Sequence, residues 1–290
     1  MNLSDLKQVA VLGAGTMGHG IAQVVSQAGL AVKLYDITEQ AARGGLAKLG
    51  EGLERQVQKG KLKAEEREAI VGRIEPVWAL EGCKGSQLCI EAAPEKLELK
   101  QRLLGELAAL LGPEAVLATN TSSLSLTLIA GAVPRPERVV GMHFFNPVPV
   151  MKLLELVKAA QTSAETLAVA RALGERLGKD CIEVKDSPGF ASSRLGICIA
   201  MEAIRMVEEG VASPADIDKA MELGYNHPMG PLKLTDLVGL DVRLAITEYL
   251  HKELKSPRFD PPPLLRKMVG EGKLGKKSGE GFYKYDASRK

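Results

Sequence analysis

Short apolar runs alternate along residues 8–185 with longer stretches in which apolar residues recur at helical spacing. Strands are predicted at the apolar runs 8–12, 31–35, 86–90, 115–119, 139–144, 153–157 and 181–184. Helices are predicted at 95–111 and 164–177, and a further helical stretch follows residues 13–18 and continues through Ser26. Such alternation is typical of an α/β fold of the Rossmann type, with a doubly wound, mostly parallel sheet.

The pattern changes at the tetrapeptide Asp186-Ser187-Pro188-Gly189, which ends the last predicted strand. Beyond it only helices are predicted, at 190–209, 215–223 and 232–254, with a short one after the prolines at 261–263. Ser213 and Pro214 predict the N-cap and first residue of the second of these helices. We therefore expect two domains, 1–186 and 187–290, of which the second is all-helical.

Residues 39–71 are rich in Lys, Arg and Glu and predict a long helical excursion from the first domain, either a hairpin or a tail. Four glycines within it, Gly44, Gly45, Gly50 and Gly52, argue against a regular helix.

Composition narrows the classes of function without choosing one. The 290 residues are 45% hydrophobic and 26% charged, which is ordinary for a globular protein, and the net charge of +2 does not favour nucleic acid or an anionic membrane as a partner. The four cysteines lack the spacing of a metal site or a CxxC pair, so reduced thiols are expected. The chain start does not resemble a cleavable leader, and the predicted localisation is cytoplasmic.

A glycine motif predicts the cofactor. In Gly13-Ala14-Gly15-Thr16-Met17-Gly18 the first glycine permits a turn, the second admits a pyrophosphate and the third allows close packing of the helix. Asp36 ends the next strand 18 residues after Gly18, where a carboxylate accepts both ribose hydroxyls of an adenosine and repels a 2'-phosphate. The predicted cofactor is NAD, and the alternative is a purely structural glycine turn.

Two ionisable residues stand among apolar and turn-forming residues in the segment 143–157, HFFNPVPVMKLLELV. Glu155 lies within a predicted buried strand, where a carboxylate requires a partner. The turn-forming residues Asn146-Pro147-Val148-Pro149 can reverse the chain, so His143 is expected to lie beside Glu155. This pair is either a general base with its orienting carboxylate or a buried pair of structural importance only.

Six motifs occur in the order GAGTMG, EAAPEKLELK, TNTSSL, HFFNPVPVMKLLELV, DSPGF and GKKSGEGFYKY. In this order the chain resembles the L-3-hydroxyacyl-CoA dehydrogenases, and among them the single-function bacterial 3-hydroxybutyryl-CoA dehydrogenases, over residues 9–285. The resemblance implies that His143 is the general base, that Glu155 is its partner and that Ser122 binds the substrate 3-oxygen. Ser193 stands where the family has an asparagine in PGFxxNR, so its role in catalysis is inferred only from its position.

The same resemblance implies the remaining binding residues. The residues implied to contact NAD are Glu95, Lys100, Asn120, Ser122, Asn146 and Lys277, in addition to Gly13, Gly15, Thr16, Met17, Gly18 and Asp36. Asn146 and Ser122 are also implied to contact the substrate, and Lys59 the phosphates of coenzyme A. No metal is implied.

The predicted activity is the NAD-dependent interconversion of (3S)-3-hydroxyacyl-CoA and 3-oxoacyl-CoA, with short acyl chains favoured and the substrate held between the two domains. The resemblance also implies a homodimer formed through the C-terminal helices. From the near-neutral net charge we expect no nucleic acid or membrane partner. Two alternatives are a CoA-independent hydroxyacid or sugar-acid dehydrogenase and a dinucleotide-binding protein without turnover.

Overall fold

A computed structural model describes residues 6–285. The chain forms two compact units, the first ending at Ser187 and the second beginning at Pro188. Each has its own hydrophobic core: the first lies around the strands of a sheet, and the second between helices.

From residue 6 onward, the first unit contains one sheet of eight strands. They are β1 (Gln8–Leu12), β2 (Ala31–Tyr35), β3 (Ile74–Val77), β4 (Leu88–Glu91), β5 (Val116–Thr119), β6 (Val139–Phe144), β7 (Leu153–Lys158) and β8 (Asp180–Lys185). All residues of β4, β5 and β6 are buried, as expected for central strands that are covered on both faces.

The strand order is β3-β2-β1-β4-β5-β6-β7-β8, so the direction of winding reverses between β1 and β4. Strands β1 to β6 pair in parallel, whereas β7 runs antiparallel to β6, and β8 runs parallel to β7. The predicted doubly wound, mostly parallel sheet is therefore confirmed. Ligands of such sheets bind at the carboxyl ends of the strands near the reversal.

Strand β3 does not appear among the predicted strands. It has four residues, contains Pro76 and lies at the edge of the sheet, where a proline is tolerated because one side of the strand needs no partner. A run this short and interrupted carries little strand signal.

The helices of the first unit are α1 (Thr16–Gln27), α2 (Glu39–Gln58), α3 (Ala64–Gly72), α4 (Leu97–Leu111), α5 (Leu126–Ala130) and α6 (Ala164–Arg176). The helical excursion is a hairpin of α2 and α3, and α2 stays regular through its four glycines because its apolar face is buried. The side chain of Thr38 caps α2 by accepting from the Ala41 N–H.

The second unit consists of α7 (Ser192–Glu208), α8 (Pro214–Gly224), α9 (Pro231–Val238), α10 (Leu240–Leu254) and α11 (Pro263–Gly270). Ser213 caps α8 as predicted, with Pro214 as its first residue. The prediction of a single helix at 232–254 is wrong. Gly239 adopts a positive φ of 106° and divides this stretch into α9 and α10.

Among residues 6–285, none of the helices combines the length and the apolar character that crossing a membrane requires.

Candidate functional site

The glycine motif forms the turn between β1 and α1, at the carboxyl end of a central strand. A Cβ on Gly18 would lie 1.5 Å from the Gly13 carbonyl oxygen, so only glycine lets the helix pack this closely on the turn. Above Gly15 a Cβ would meet nothing within 4 Å, and no side chain caps α1. The first N–H groups of α1 therefore face open space, where a helix favours an anion.

Asp36 lies at the carboxyl end of β2, beside this turn. Its Oδ2 accepts from the Ala14 N–H at 2.8 Å and its Oδ1 from the Ile37 N–H at 2.8 Å, which fixes the carboxylate. Each oxygen keeps a further lone pair, so the carboxylate can also accept a pair of vicinal hydroxyls.

The turn and Asp36 line a cavity of about 760 Å³. Its walls include five predicted residues, namely Gly13, Gly15, Thr16, Met17 and Asp36. The cavity is also lined by residues from one face of α4 and by the loop 92–94; the α4 residues are Leu99, Arg102, Leu103 and Glu106. An open helix N-terminus, a fixed carboxylate and an apolar slot fit the pyrophosphate, ribose and base of an adenine dinucleotide.

His143 and Glu155 lie directly opposite each other in the antiparallel pair β6 and β7. Their side chains therefore share one face of the sheet, and His143 Nδ1 lies 2.7 Å from Glu155 Oε2. The histidine side chain is 8% exposed and the glutamate side chain is fully buried. The predicted proximity of the two residues is confirmed.

This geometry assigns the tautomer of His143. Because a carboxylate only accepts hydrogen bonds, Nδ1 carries the proton and Nε2 carries the lone pair of the neutral ring. The ring also packs against Phe145, with centroids 4.6 Å apart. These two contacts orient the imidazole, and in this tautomer the neutral ring can accept a proton at Nε2.

Asn120 follows β5, and its Oδ1 accepts from the Phe144 N–H at 2.8 Å. It therefore braces the end of the strand that carries His143. Ser122 lies two residues further on, and its N–H and hydroxyl both donate to Glu95 Oε1, at 2.9 and 3.3 Å.

Glu95 lies in the loop between β4 and α4 and remains ionised. Burial raises the pKa of its carboxyl, but the Lys100 ammonium and the hydrogen bonds from Thr121, Ser122 and Lys100 outweigh burial and lower it. Lys100, in the first turn of α4, is only 1% exposed and pairs with both Glu91 and Glu95.

Two predicted site residues belong to the second unit. Ser193 is the second residue of α7. Lys277 lies in a short turn and donates to Asp241 Oδ1 and Oδ2 at 2.5 and 2.6 Å, and this hydrogen bond lowers the pKa of Asp241.

Two further predicted residues are exposed in the first unit. Asn146 lies in the turn that connects β6 to β7, and Lys59 lies at the end of α2 in the tip of the helical hairpin.

Sequence reasoning did not identify the cavity wall formed by α4. Leu99, Arg102, Leu103 and Glu106 recur at helical spacing and so share one face, which is the signal that predicts such a wall. It also did not identify the contact between Glu91 and Thr119, whose side chains meet at 2.6 Å across β4 and β5. No local pattern marks a contact between residues 28 positions apart.

Comparison with known proteins places nearly the whole chain in one family. Residues 8–187 match the family described as 3-hydroxyacyl-CoA dehydrogenase, NAD binding domain, and residues 189–285 match 3-hydroxyacyl-CoA dehydrogenase, C-terminal domain.

Individual relatives match over nearly their full length. The chain is 47% identical to a probable 3-hydroxybutyryl-CoA dehydrogenase from Bacillus subtilis, covering 97% of this chain and 98% of the relative. It is 42% identical to a 3-hydroxybutyryl-CoA dehydrogenase from Mycobacterium tuberculosis, with coverages of 98% and 100%. The crystal structure of (S)-3-hydroxybutyryl-CoA dehydrogenase from Ralstonia eutropha matches with a TM-score of 0.94 and 42% identity, covering 97% of this chain and 100% of that one. The chain therefore belongs to the 3-hydroxyacyl-CoA dehydrogenase family and is an NAD-dependent dehydrogenase.

Proposed function

We propose that the chain interconverts (3S)-3-hydroxybutyryl-CoA and acetoacetyl-CoA, with His143 as general base and Glu155 as its orienting partner. The observation that carries the proposal is the contact of 2.7 Å between His143 Nδ1 and Glu155 Oε2 at the carboxyl edge of the sheet. Relatives of this chain named for 3-hydroxybutyryl-CoA support the choice of substrate.

Oxidation of a secondary alcohol removes the hydroxyl proton while a hydride leaves the same carbon. When bound, NAD supplies the acceptor for that hydride. His143 Nε2 takes the proton, and Glu155 stabilises the imidazolium that forms without taking a proton itself. In the direction of reduction, His143 returns the proton to the oxygen.

Ser122 is proposed to bind the reacting oxygen. A hydroxyl donor held in place stabilises the negative charge that develops on this oxygen in the transition state. Ser193, in the position of the family's asparagine, is proposed as a second donor. Its side chain is shorter than that of asparagine, and it offers one O–H donor where the amide offers two N–H donors.

Coenzyme A is proposed to meet the tip of the helical hairpin. Lys59, Lys61 and Lys63 are all exposed within five positions of chain there. Three ammonium groups on a short turn attract the phosphates of coenzyme A.

The assay that tests this function follows NADH consumption with acetoacetyl-CoA, with free acetoacetate, and with NADPH in place of NADH. We expect turnover with acetoacetyl-CoA and NADH, and much less with the other two combinations. Equal rates with acetoacetyl-CoA and with free acetoacetate would contradict the assignment of a CoA substrate and favour a CoA-independent hydroxyacid dehydrogenase. No turnover with any of these combinations would contradict the proposed substrate.

A pair of variants isolates the role of coenzyme A in the same assay. Lys59→Glu is expected to raise KM for acetoacetyl-CoA several-fold. Lys48→Glu, which places the same charge change at another exposed position of α2, is the matched control and is expected to leave KM unchanged.

Cofactor selection is tested at Asp36. In Asp36→Asn we expect KM for NADH to rise by about tenfold, because a hydrogen bond to a charged acceptor is worth about 1.5–3 kcal/mol, and we expect discrimination against NADPH to weaken. Steady-state kinetics with both cofactors measure the two effects. Glu39→Gln removes a neighbouring exposed carboxylate and serves as the control. Unchanged NADH kinetics in Asp36→Asn would contradict the proposal that Asp36 binds the ribose hydroxyls.

We further propose a homodimer formed through the helices of the second unit. Large apolar side chains are exposed on that unit, among them Leu195, Leu223, Leu237 and Val242.

We also propose a cytoplasmic location. The four cysteines are free thiols, which agrees with a reducing compartment.

A further inference from the structure

The second unit buries an arginine near the start of α10. The buried face of this helix consists of four side chains at helical spacing, namely Leu240, Arg243, Thr247 and Leu250. Arg243 is the fourth residue of the helix, and only 7% of its surface is exposed. An arginine is almost never buried to this extent unless it is paired.

Arg243 lacks a partner for its buried nitrogen. Its Nε is enclosed and has no hydrogen-bond partner among residues 6–285. Burial lowers the pKa of the Arg243 guanidinium, and no carboxylate in the described part of the chain counteracts this effect. The group stays charged, because an arginine does not lose its proton in proteins. Arg243 is therefore a buried cation that costs the fold stability.

Arg205 on α7 shows how an arginine of the same unit serves the structure. Its Nη2 donates to the carbonyl oxygens of Arg258 and Asp260 at 3.3 and 2.9 Å, and its Nη1 pairs with Glu202. These bonds tie α7 to the turn that precedes α11. Within the same described residues, the enclosed Nε of Arg243 makes no bond of this kind.

The guanidinium of Arg243 lies against α7. A Cβ added at Gly196 would lie 3.8 Å from Arg243 Nη1, so the glycine leaves room for the guanidinium there. Ser193 precedes Gly196 by three positions, and residues at this spacing share one helix face with Cβ positions about 5–6 Å apart. The guanidinium is therefore beside the face of α7 that carries Ser193.

The start of α10 also lies beside Lys277. A Cβ added at Gly239, the residue before α10, would lie 3.1 Å from Lys277 Nζ. Side chains of a helix lean toward its N-terminus, so Arg243 extends toward this end of α10. The buried cation thus lies near both site residues that are predicted in the second unit, Ser193 and Lys277.

We propose that Arg243 is a donor to the reacting oxygen and works beside Ser193. The guanidinium supplies the reach and the N–H groups that a serine lacks in comparison with an asparagine. As His143 takes the hydroxyl proton, negative charge develops on the oxygen, and a charged donor stabilises it more strongly than a neutral hydroxyl.

The bound oxygen in turn gives the buried cation an acceptor, and Arg243 keeps its own protons throughout the reaction. This inference rests on the proposed function, in which Ser193 binds the same oxygen.

The first experiment compares turnover and stability in Arg243→Met, which keeps an unbranched apolar chain at this position. We expect kcat for acetoacetyl-CoA to fall by about tenfold or more, because losing one donor to a developing oxyanion costs on the order of 100-fold and Ser193 remains. The Tm is expected to stay equal or to rise, since the variant no longer buries an unpaired charge. The Kd for NADH, from fluorescence titration, is expected to stay unchanged.

Arg205→Met is the matched control, because it removes an arginine whose hydrogen bonds are structural. We expect the opposite pattern, with a lower Tm and unchanged kcat. If Arg243→Met shows this pattern, or does not fold at all, Arg243 is a structural residue and the inference is overturned.

The second experiment is a rescue. In Arg243→Met/Ser193→Asn the amide replaces the lost guanidinium as a donor, so we expect kcat to return to within about threefold of the parent value. A double variant that is no more active than Arg243→Met would overturn the shared role of the two residues.

The parent is assayed first, which separates this inference from the proposed function. A parent that does not reduce acetoacetyl-CoA would overturn the proposed function and this inference with it. An active parent with an equally active Arg243→Met variant would overturn the role of Arg243 alone.

Discussion

Replacing His143 by alanine is expected to lower kcat on the order of 100-fold or more, the usual contribution of a general base. The variant is also expected to lose about 1–3 kcal/mol of stability, because the buried Glu155 carboxylate loses the ring N–H that donates to it. This loss is smaller than the about 5–15 kcal/mol by which native proteins are usually stable, so the variant is expected to fold. Kinetics with acetoacetyl-CoA and thermal unfolding measure the two effects.

His143→Asn separates catalysis from structure. The amide N–H can still donate to Glu155, but an amide is not a base, so we expect a similar loss of kcat with a smaller loss of stability. His227→Ala, at a histidine of the second unit outside the proposed machinery, is the control. Turnover close to the parent value in a folded His143 variant would refute the assignment of the base.

Replacing Glu155 by glutamine is expected to have the second-largest effect. The glutamine oxygen still accepts from His143 Nδ1–H, so the ring keeps its orientation, but the charge that stabilises the imidazolium is lost. We expect kcat to fall by on the order of 100-fold, while the Kd for NADH changes little. Kinetics and cofactor titration distinguish the two quantities.

Glu183→Gln on β8 provides the matched comparison, because this carboxylate lies on the same sheet and pairs with Arg171 at the surface. It is expected to leave kcat unchanged. A Glu155→Gln variant with weaker NADH binding and normal kcat would make Glu155 a structural residue.

The sequence predicts the main features of the first unit because they depend on local pattern. The apolar runs locate seven of the eight strands, and the turn residues after Phe144 predict a chain reversal that places His143 beside Glu155. Periodicity could not reveal the edge strand β3 or the break at Gly239, since the first is short and contains Pro76 and the second interrupts the helix without disturbing its apolar spacing.

Burial could not be predicted for Lys100, whose environment is set by another element. In the sequence it follows Leu97 and Leu99 in an amphipathic helix, where a lysine is normally solvated. Its partner Glu91 ends a strand nine positions earlier, and only the packing of α4 against the end of β4 brings their side chains together. Sequence resemblance alone suggests a direct contact with the cofactor for the same residue.

The hairpin of β6 and β7 has a consequence for how the enzyme can diverge. His143 and Glu155 are only 12 positions apart and meet through adjacent strands of one folding unit, so their contact has a low entropic cost of loop closure. Both partners of the contact lie in the first unit, so substitutions after Pro188 replace neither of them. Descendants of this chain can therefore diverge throughout the second unit and still inherit the proposed base together with its partner.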